Sequence, residues 1–264
     1  MTTLGFIGTG NMGGALARAA ARSTDCRLLL ANRTAAKASA LAKELGGEVV
    51  SNEQAAREAD FLFLGVKPQM MQALLASLAP VLSERRSRFV LVTMAAGLTM
   101  QRIAEMAAGA YPVIRIMPNT PAAIGAGMIT YCYNDAVTQA EAARFSAVMA
   151  GAGRFLQLDE QQIDAASAVA GCGPAFVDLF LEALADGGVA CGLPRAAAME
   201  LAAQMTLGSA QLALASGQHP GQLKDAVCSP GGTTILGVRT LEARGFRSAV
   251  MEAVIAAYEK SKML

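Results

Sequence analysis

A chain of 264 residues, 53% of them hydrophobic and 16% charged, carries enough apolar material for one large or two modest cores, which excludes a disordered protein. A formal net charge of +1 without a basic block argues against nucleic acid as the main partner, because neutralising phosphates takes clustered Lys and Arg. Five scattered cysteines (Cys26, Cys132, Cys172, Cys191, Cys228) without C-x-x-C spacing, and the single histidine His219, leave no metal set and read as free thiols of a cytoplasmic protein.

Met1-Thr2-Thr3 runs straight into a strand pattern, with no basic region or cleavage site of a signal peptide. Leu4-Gly5-Phe6-Ile7 leads into Gly8-Thr9-Gly10-Asn11-Met12-Gly13 and an Ala-rich segment, 14–22. The order is strand, Gly-x-Gly-x-x-Gly, helix. Gly8 permits the tight turn, Gly10 lets a pyrophosphate approach the backbone, and Gly13 lets the helix pack closely on the strand. With a second strand at 26–31, this points to a dinucleotide site; the alternative is a turn that only packs a helix onto a sheet. An NAD site usually carries Asp or Glu at the end of that second strand. Here stand Asn32-Arg33-Thr34, which suit a 2′-phosphate, so NADPH is favoured and NADH stays possible. A solvated surface charge is the other reading of Arg33.

A helix over 35–45 ends at Gly46-Gly47, a short strand at 49–50 precedes Ser51-Asn52-Glu53, and these cap a helix through Ala59. Residues 61–66 read as a buried parallel strand stopped by Lys67-Pro68. A helix at 70–82 and a strand at 88–93 follow, closing on Met94-Ala95-Ala96-Gly97, whose small side chains would let a cofactor lie against the backbone. Lys67 either contacts cofactor phosphate or solvates its loop. A helix at 99–108 and strands at 113–117, 128–133 and 154–158 complete a mostly parallel sheet. Pro118-Asn119-Thr120-Pro121 punctuates it where a substrate loop would lie, or forms a rigid turn.

After about Asp159 no convincing strand follows. The expected organisation is α/β plus all-α: a Rossmann-like domain, 1–158, and an all-helical domain, 159–264. A long helix over 161–189 is expected to be interrupted at Gly171-Cys172-Gly173-Pro174. Helices at 195–216, 221–227, 233–244 and 246–262 follow. The uncharged stretch 201–223 is long enough to span a membrane but too polar. Phe176, Val177, Phe180, Leu181 and Leu184 present more apolar surface than a small bundle hides, which fits either a homo-oligomer interface or a larger internal core.

Ser229-Pro230-Gly231-Gly232-Thr233-Thr234 breaks one helix and opens the next, with Thr233 and Thr234 as expected N-cap hydroxyls. Open N–H groups at the positive end of a helix dipole suit a carboxylate or phosphate, and an ordinary helix start is the alternative.

The motifs Phe6-Ile7-Gly8-Thr9-Gly10-Asn11-Met12, Val66-Lys67-Pro68, Ala95-Ala96-Gly97, Arg115-Ile116-Met117-Pro118-Asn119-Thr120-Pro121, Gly171-Cys172-Gly173-Pro174-Ala175 and Ser229-Pro230-Gly231-Gly232-Thr233-Thr234 together resemble the pyrroline-5-carboxylate reductases across essentially the whole chain. The resemblance implies NAD(P)H-dependent reduction of 1-pyrroline-5-carboxylate to L-proline on a helical, domain-swapped homodimer, often assembled as a homodecamer. It places cofactor contacts at Ile7, Gly8, Thr9, Gly10, Asn11, Met12, Asn32, Arg33, Asn52, Gly65, Val66, Lys67, Pro68, Ala95, Ala96 and Gly97. Substrate contacts fall on Glu160, Ala226, Gly232, Thr233 and Thr234, with the Gly-Gly-Thr-Thr backbone holding the carboxylate and the Thr234 hydroxyl reaching the ring nitrogen. Cys172, Ala226 and Cys228 depart from the usual Ser, Asn and Ser or Thr of that family.

Hydride transfer to an imine needs little acid–base machinery beyond a donor on nitrogen, for which Thr234 is the candidate, and Glu160 either closes the site or solvates the domain junction. Two other classes stay open at this level: a reductase of 2- or 3-hydroxy acids, which usually needs a Lys or His proton carrier, and a cofactor-binding regulator without turnover.

Overall fold

In the computed structural model, which describes residues 1–23 and 26–263, strands β1 (Thr2–Ile7), β2 (Cys26–Ala31), β3 (Glu48–Val49), β4 (Phe61–Leu64), β5 (Val90–Thr93) and β6 (Val113–Met117) alternate with helices. These are α1 (Asn11–Ser23), α2 (Ala35–Leu45), α3 (Asn52–Glu58), α4 (Pro68–Ser83) and α5 (Met100–Met106). Strands β7 (Gly127–Tyr133) and β8 (Gly153–Gln157) flank α6 (Gln139–Val148). One eight-stranded sheet results, in the order β3-β2-β1-β4-β5-β6-β7-β8, with every neighbouring pair parallel except β6 and β7.

Phe61-Leu62-Phe63-Leu64 is buried at every position, as a central strand covered on both faces must be. Side chains alternate across the sheet. Phe6, Phe63, Val92 and Ile116 pack on one face with Leu16 of α1 and Phe145 of α6, and Phe6 and Phe63 stack at 4.3 Å. Ile7, Leu62, Leu64 and Leu91 pack on the other with Leu75 of α4 and Ile103 of α5. The strand order reverses direction between β1 and β4, the place where open α/β sheets bind ligands beyond their carboxyl ends.

Helix α6 has no counterpart in the sequence-derived elements, although its start carries a legible signal. Thr138 and Glu141 form a capping box, in which Thr138 Oγ1 accepts from Glu141 N at 3.2 Å and Glu141 Oε2 accepts from Thr138 N at 2.8 Å. Arg88 donates to both carboxylate oxygens, at 2.6 and 2.9 Å. The Arg88 hydrogen bond is the main reason the Glu141 carboxyl falls to about 2; desolvation opposes it and the Thr138 bonds reinforce it. A carboxyl held below its unfolded value of 4.5 stabilises the fold at higher pH, and that contribution is lost as pH falls through 4.5 toward 2. Because Gln keeps the capping box and Arg88 is more than half exposed, the expected size is about 0.5 kcal/mol, from the lost charge. Urea unfolding of Glu141→Gln against the parent should show that gap at neutral pH and see it close near pH 2; a gap independent of pH contradicts the assignment.

Helix α7 (Glu160–Ala166) passes through a π-helical turn, Ser167–Gly171, into α8 (Gly173–Ala190). The expected interruption at Gly171–Pro174 is therefore absorbed within one continuous helix, Glu160–Ala190. Pro174 has no N–H to offer the carbonyl of Ala170, four residues earlier. Asn119 fills that place, its Nδ2 donating to Ala170 O at 3.0 Å while its Oδ1 accepts from Met128 N. Helices α9 (Arg195–Ser216), α10 (Pro220–Ala226), α11 (Thr233–Ala243) and α12 (Phe246–Ser261) follow. The chain forms two compact units, Met1–Cys172 with Ala257–Leu264, and Gly173–Ala256. The change of composition near Asp159 thus lies one short helix before the structural division.

Helix Glu160–Ala190 is long and apolar enough to cross a membrane by length and composition, and it is not the 201–223 stretch that the sequence singled out. Leu179, Leu201, Leu212, Leu214, Leu236 and Met251 are exposed in the second unit.

Candidate active site

The turn after β1 is built by mutual close approach of two glycine segments. Gly8 stands at φ +97°, its N–H donates to Ala31 O at 2.8 Å, and a Cβ there would lie 2.5 Å from the Gly65 carbonyl oxygen. Gly65, just after β4, donates to Ile7 O at 2.7 Å and is barred from a Cβ by Gly8 in turn. Gly13, in the first turn of α1, lies so close to the glycine turn that a Cβ would overlap the Gly8 carbonyl oxygen. Gly10 differs, because nothing lies within 4 Å of where its Cβ would stand. Its exposed backbone leaves room for a ligand at the start of α1, where N–H groups have no intrahelical partner.

These turns border a groove of about 620 Å³, within the usual size of small-molecule sites. Ile7, Gly8, Gly10, Asn32, Arg33, Asn52, Gly65 and Val66, all expected from the sequence, line it. Thr9, Asn11, Met12, Lys67, Pro68, Ala95, Ala96 and Gly97 do not. Thr9 is buried beside the groove with an unpartnered Oγ1. Asn11 and Met12 open α1, Lys67 and Pro68 open α4, and Ala95 to Gly97 form the loop after β5. Lys37 of α2 and Gln69, Met70 and Ser77 of α4 line the groove without having been anticipated. Lys37 was accessible to pattern, since it lies in the first turn of α2, four residues beyond Arg33.

At the far end of the groove the Asn32 side chain is occupied by the fold. Its Oδ1 accepts from Thr9 N at 3.1 Å and its Nδ2 donates to Thr34 O at 3.0 Å, so it ties the glycine turn to the end of β2. Arg33 and Lys37 have no ion-pair partner among the described residues, and Thr34, the N-cap of α2, makes no side-chain cap bond. Two free cations beside an uncapped helix start form an anion site, and no carboxylate lines the groove to repel a 2′-phosphate. The groove therefore fits a phosphorylated dinucleotide.

In the second unit, Ser229 O accepts from Gly232 N at 3.0 Å, closing a turn with Pro230 and Gly231 at its centre and Gly231 at φ +68°. Two expectations change here. The N-cap of α11 is Gly232, so Thr233 and Thr234 lie inside its first turn and cap nothing. The Gly232 amide is taken by the turn, so the open N–H groups begin at Thr233. Both threonines are exposed, and their hydroxyls have no partner among the described residues. Ala226 ends α10, just before this turn. His219 is a helix cap whose Nδ1 accepts from Gly221 N at 3.1 Å. Glu160 belongs to the first unit, where its Oε1 accepts from Met100 N at 2.7 Å and lies 3.6 Å from Arg115. That oxygen satisfies an orphan N–H at the start of α5.

Residues 160–264 match the family described as pyrroline-5-carboxylate reductase dimerisation, and residues 3–97 match that described as NADP oxidoreductase coenzyme F420-dependent. Pyrroline-5-carboxylate reductases of Pisum sativum and Synechocystis sp. are 41% and 43% identical, each over 99% of this chain and over 96% and 97% of their own lengths. The chain belongs to the pyrroline-5-carboxylate reductase family. The crystal structure of Plasmodium falciparum pyrroline carboxylate reductase with NADP bound superposes with a TM-score of 0.87 at 34% identity, covering 99% of this chain and 97% of that one. The dimerisation match also gives the exposed apolar surface of the helical unit a destination other than a bilayer.

Proposed function

We propose that this chain reduces 1-pyrroline-5-carboxylate to L-proline with NAD(P)H, the last step of proline biosynthesis. The observation that carries it is a groove with an open glycine turn and two unpaired cations, on a chain related to these reductases over its whole length. When bound, NAD(P)H supplies the hydride that the imine carbon accepts. The backbone around Gly8, Gly10 and Gly65 admits the pyrophosphate, while Arg33, Thr34 and Lys37 hold a 2′-phosphate, so NADPH is preferred to NADH. Thr9, Asn11, Met12, Lys67, Pro68 and the Ala95-Ala96-Gly97 loop complete the cofactor contacts.

The N–H groups of Thr233 and Thr234 bind the substrate carboxylate at the positive end of α11, and Gly232 shapes the turn that leaves them open. The Thr234 hydroxyl donates to the ring nitrogen and orients it. Ala226 contributes backbone rather than side-chain polarity. A cytoplasmic homodimer built on residues 160–264, arranged as a ring of five dimers, is the working assembly, and sedimentation tests it.

Oxidation of NADPH on adding 1-pyrroline-5-carboxylate, and not on adding open-chain 2-keto or 3-keto acids, is the expected result. Tight NADPH binding with no oxidation by any cyclic imine overturns this function in favour of a cofactor-binding regulator. Thr234→Ala should lower kcat/KM for the imine about tenfold, the worth of one neutral hydrogen bond, with Thr234→Ser restoring most of it and the KM for NADPH unchanged. Wild-type kinetics in Thr234→Ala rule the hydroxyl out.

A further inference from the structure

Arg115, in the middle of β6, is a charged side chain only 1% exposed, and groove and helix start both leave it unused. Its Nη2 donates to Asp164 Oδ1 at 2.5 Å, its Nη1 lies 3.6 Å from Glu160 Oε1, and its Nε is buried without a partner. Its cross-strand neighbour, Cys132 of β7, is buried, with its thiol pushed up to about 11 chiefly by desolvation. A guanidinium in such surroundings persists only where paired carboxylates hold it. Glu160 and Asp164 stand one helical turn apart on α7, so one side chain of the sheet fixes both the position and the rotation of that helix. A second tie follows where Asn119, two residues beyond the end of β6, donates to the Ala170 carbonyl that Pro174 leaves unpaired. Both ties start from β6 or its exit, and both end on the helix that opens the matched dimerisation region at residue 160.

We propose that Arg115 is a positioning residue for imine reduction, acting through Glu160 and Asp164, with Asn119, to set the helix 160–171 on the sheet. This rests on the proposed function, and it makes Glu160 a holder of this helix rather than a substrate ligand.

The test compares the full-length protein with Arg115→Met, Arg115→Lys and Asp164→Asn. In Arg115→Met, the KM for 1-pyrroline-5-carboxylate should rise about tenfold or more, through release of two unpaired carboxylates. The Kd for NADPH should stay within about twofold, because additivity holds for groups with no shared partner. Amide exchange in residues 160–171 should quicken about tenfold, as a local opening predicts. Arg115→Lys should recover part of both effects. Should Arg115→Met fail to fold, Asp164→Asn, which keeps the guanidinium and one carboxylate, gives the same comparison at smaller amplitude. Unchanged exchange in 160–171, or a parallel loss of NADPH affinity and imine KM, overturns the proposal. A parent protein that never turns over the imine sinks the proposed function instead, and the exchange measurement still decides whether Arg115 holds the helix.

Discussion

Gly13→Ala is expected to weaken NADPH binding severely and to destabilise the fold, and Gly10→Ala to weaken binding without unfolding the protein. The two glycines belong to one motif, but their surroundings differ. A methyl group at Gly13 would overlap the carbonyl oxygen of Gly8, and that oxygen cannot retreat. Gly8 sits at φ +97°, is held by its bond to Ala31 O at 2.8 Å, and abuts Gly65 on the other side. Relief has to come from the start of α1 moving off the sheet, which costs about 2–4 kcal/mol of stability on the scale of overpacked cores and displaces the N–H groups that face the ligand. A Kd for NADPH raised by about a hundredfold or more, with a lower urea midpoint, is expected. At Gly10 nothing lies within 4 Å, so an Ala there should change stability by less than about 0.5 kcal/mol while its methyl enters the space of the pyrophosphate. Isothermal titration beside urea unfolding separates the two variants. Unimpaired NADPH binding by Gly13→Ala would falsify the glycine-turn assignment.

Reversing the charge at Arg33 discriminates between the two nicotinamide cofactors. Arg33 and Lys37 line the same end of the groove and neither has an ion-pair partner among the described residues. An attraction of about 4 kcal/mol per unit charge pair at contact, for an effective dielectric of 20, is cut by solvent and salt at so exposed a site. What survives in Arg33→Glu should raise the KM for NADPH about a hundredfold, near 2.7 kcal/mol, and leave that for NADH nearly unchanged. Lys37→Ala, which leaves Arg33 in place, should cost about tenfold. Steady-state kinetics with both cofactors at low and high salt provide the measurement. Equal effects on NADPH and NADH place the 2′-phosphate elsewhere.

The glycine turn and the cation at position 33 were legible because they depend on local spacing. A strand, a tight turn and a helix fix the geometry within one short stretch, whatever the rest of the chain does. Helix α11 was legible for the same reason, but its cap was placed one or two residues late. The hydroxyls of Thr233 and Thr234 competed as N-caps by propensity, whereas the Pro230-Gly231 turn had already fixed Gly232 as the last non-helical residue. Lys37 and the α4 residues went unread because a groove gathers side chains from helices remote in sequence. Arg115 was quoted as a motif letter without a role, and Asn119 only as part of a substrate loop or rigid turn. Their partners, Glu160, Asp164 and Ala170, stand some 40 to 50 positions away, and no periodicity reveals a pairing that only tertiary packing creates. The continuity of the helix through Gly171 and Pro174 follows from the same cause, since a remote Asn side chain supplies what the local sequence lacks.

The second unit has a consequence for how this protein behaves in bulk. Between residues 173 and 256 the buried hydrophobic side chains are Ala185, Ala198 and Ala202, while the leucines, valines and methionines of the same helices are half-buried or exposed. Three alanines are too little apolar area to offset the ordering of five helices, which accords with the dimerisation family that this region matches; in the proposed homodimer this half gains its interior by association. Protein concentration then enters the folding equilibrium as a chemical variable. On the proposed assembly, dilution removes subunit contacts and the support of the proposed α11 site in one step, so that a lone subunit is a precursor rather than a small enzyme.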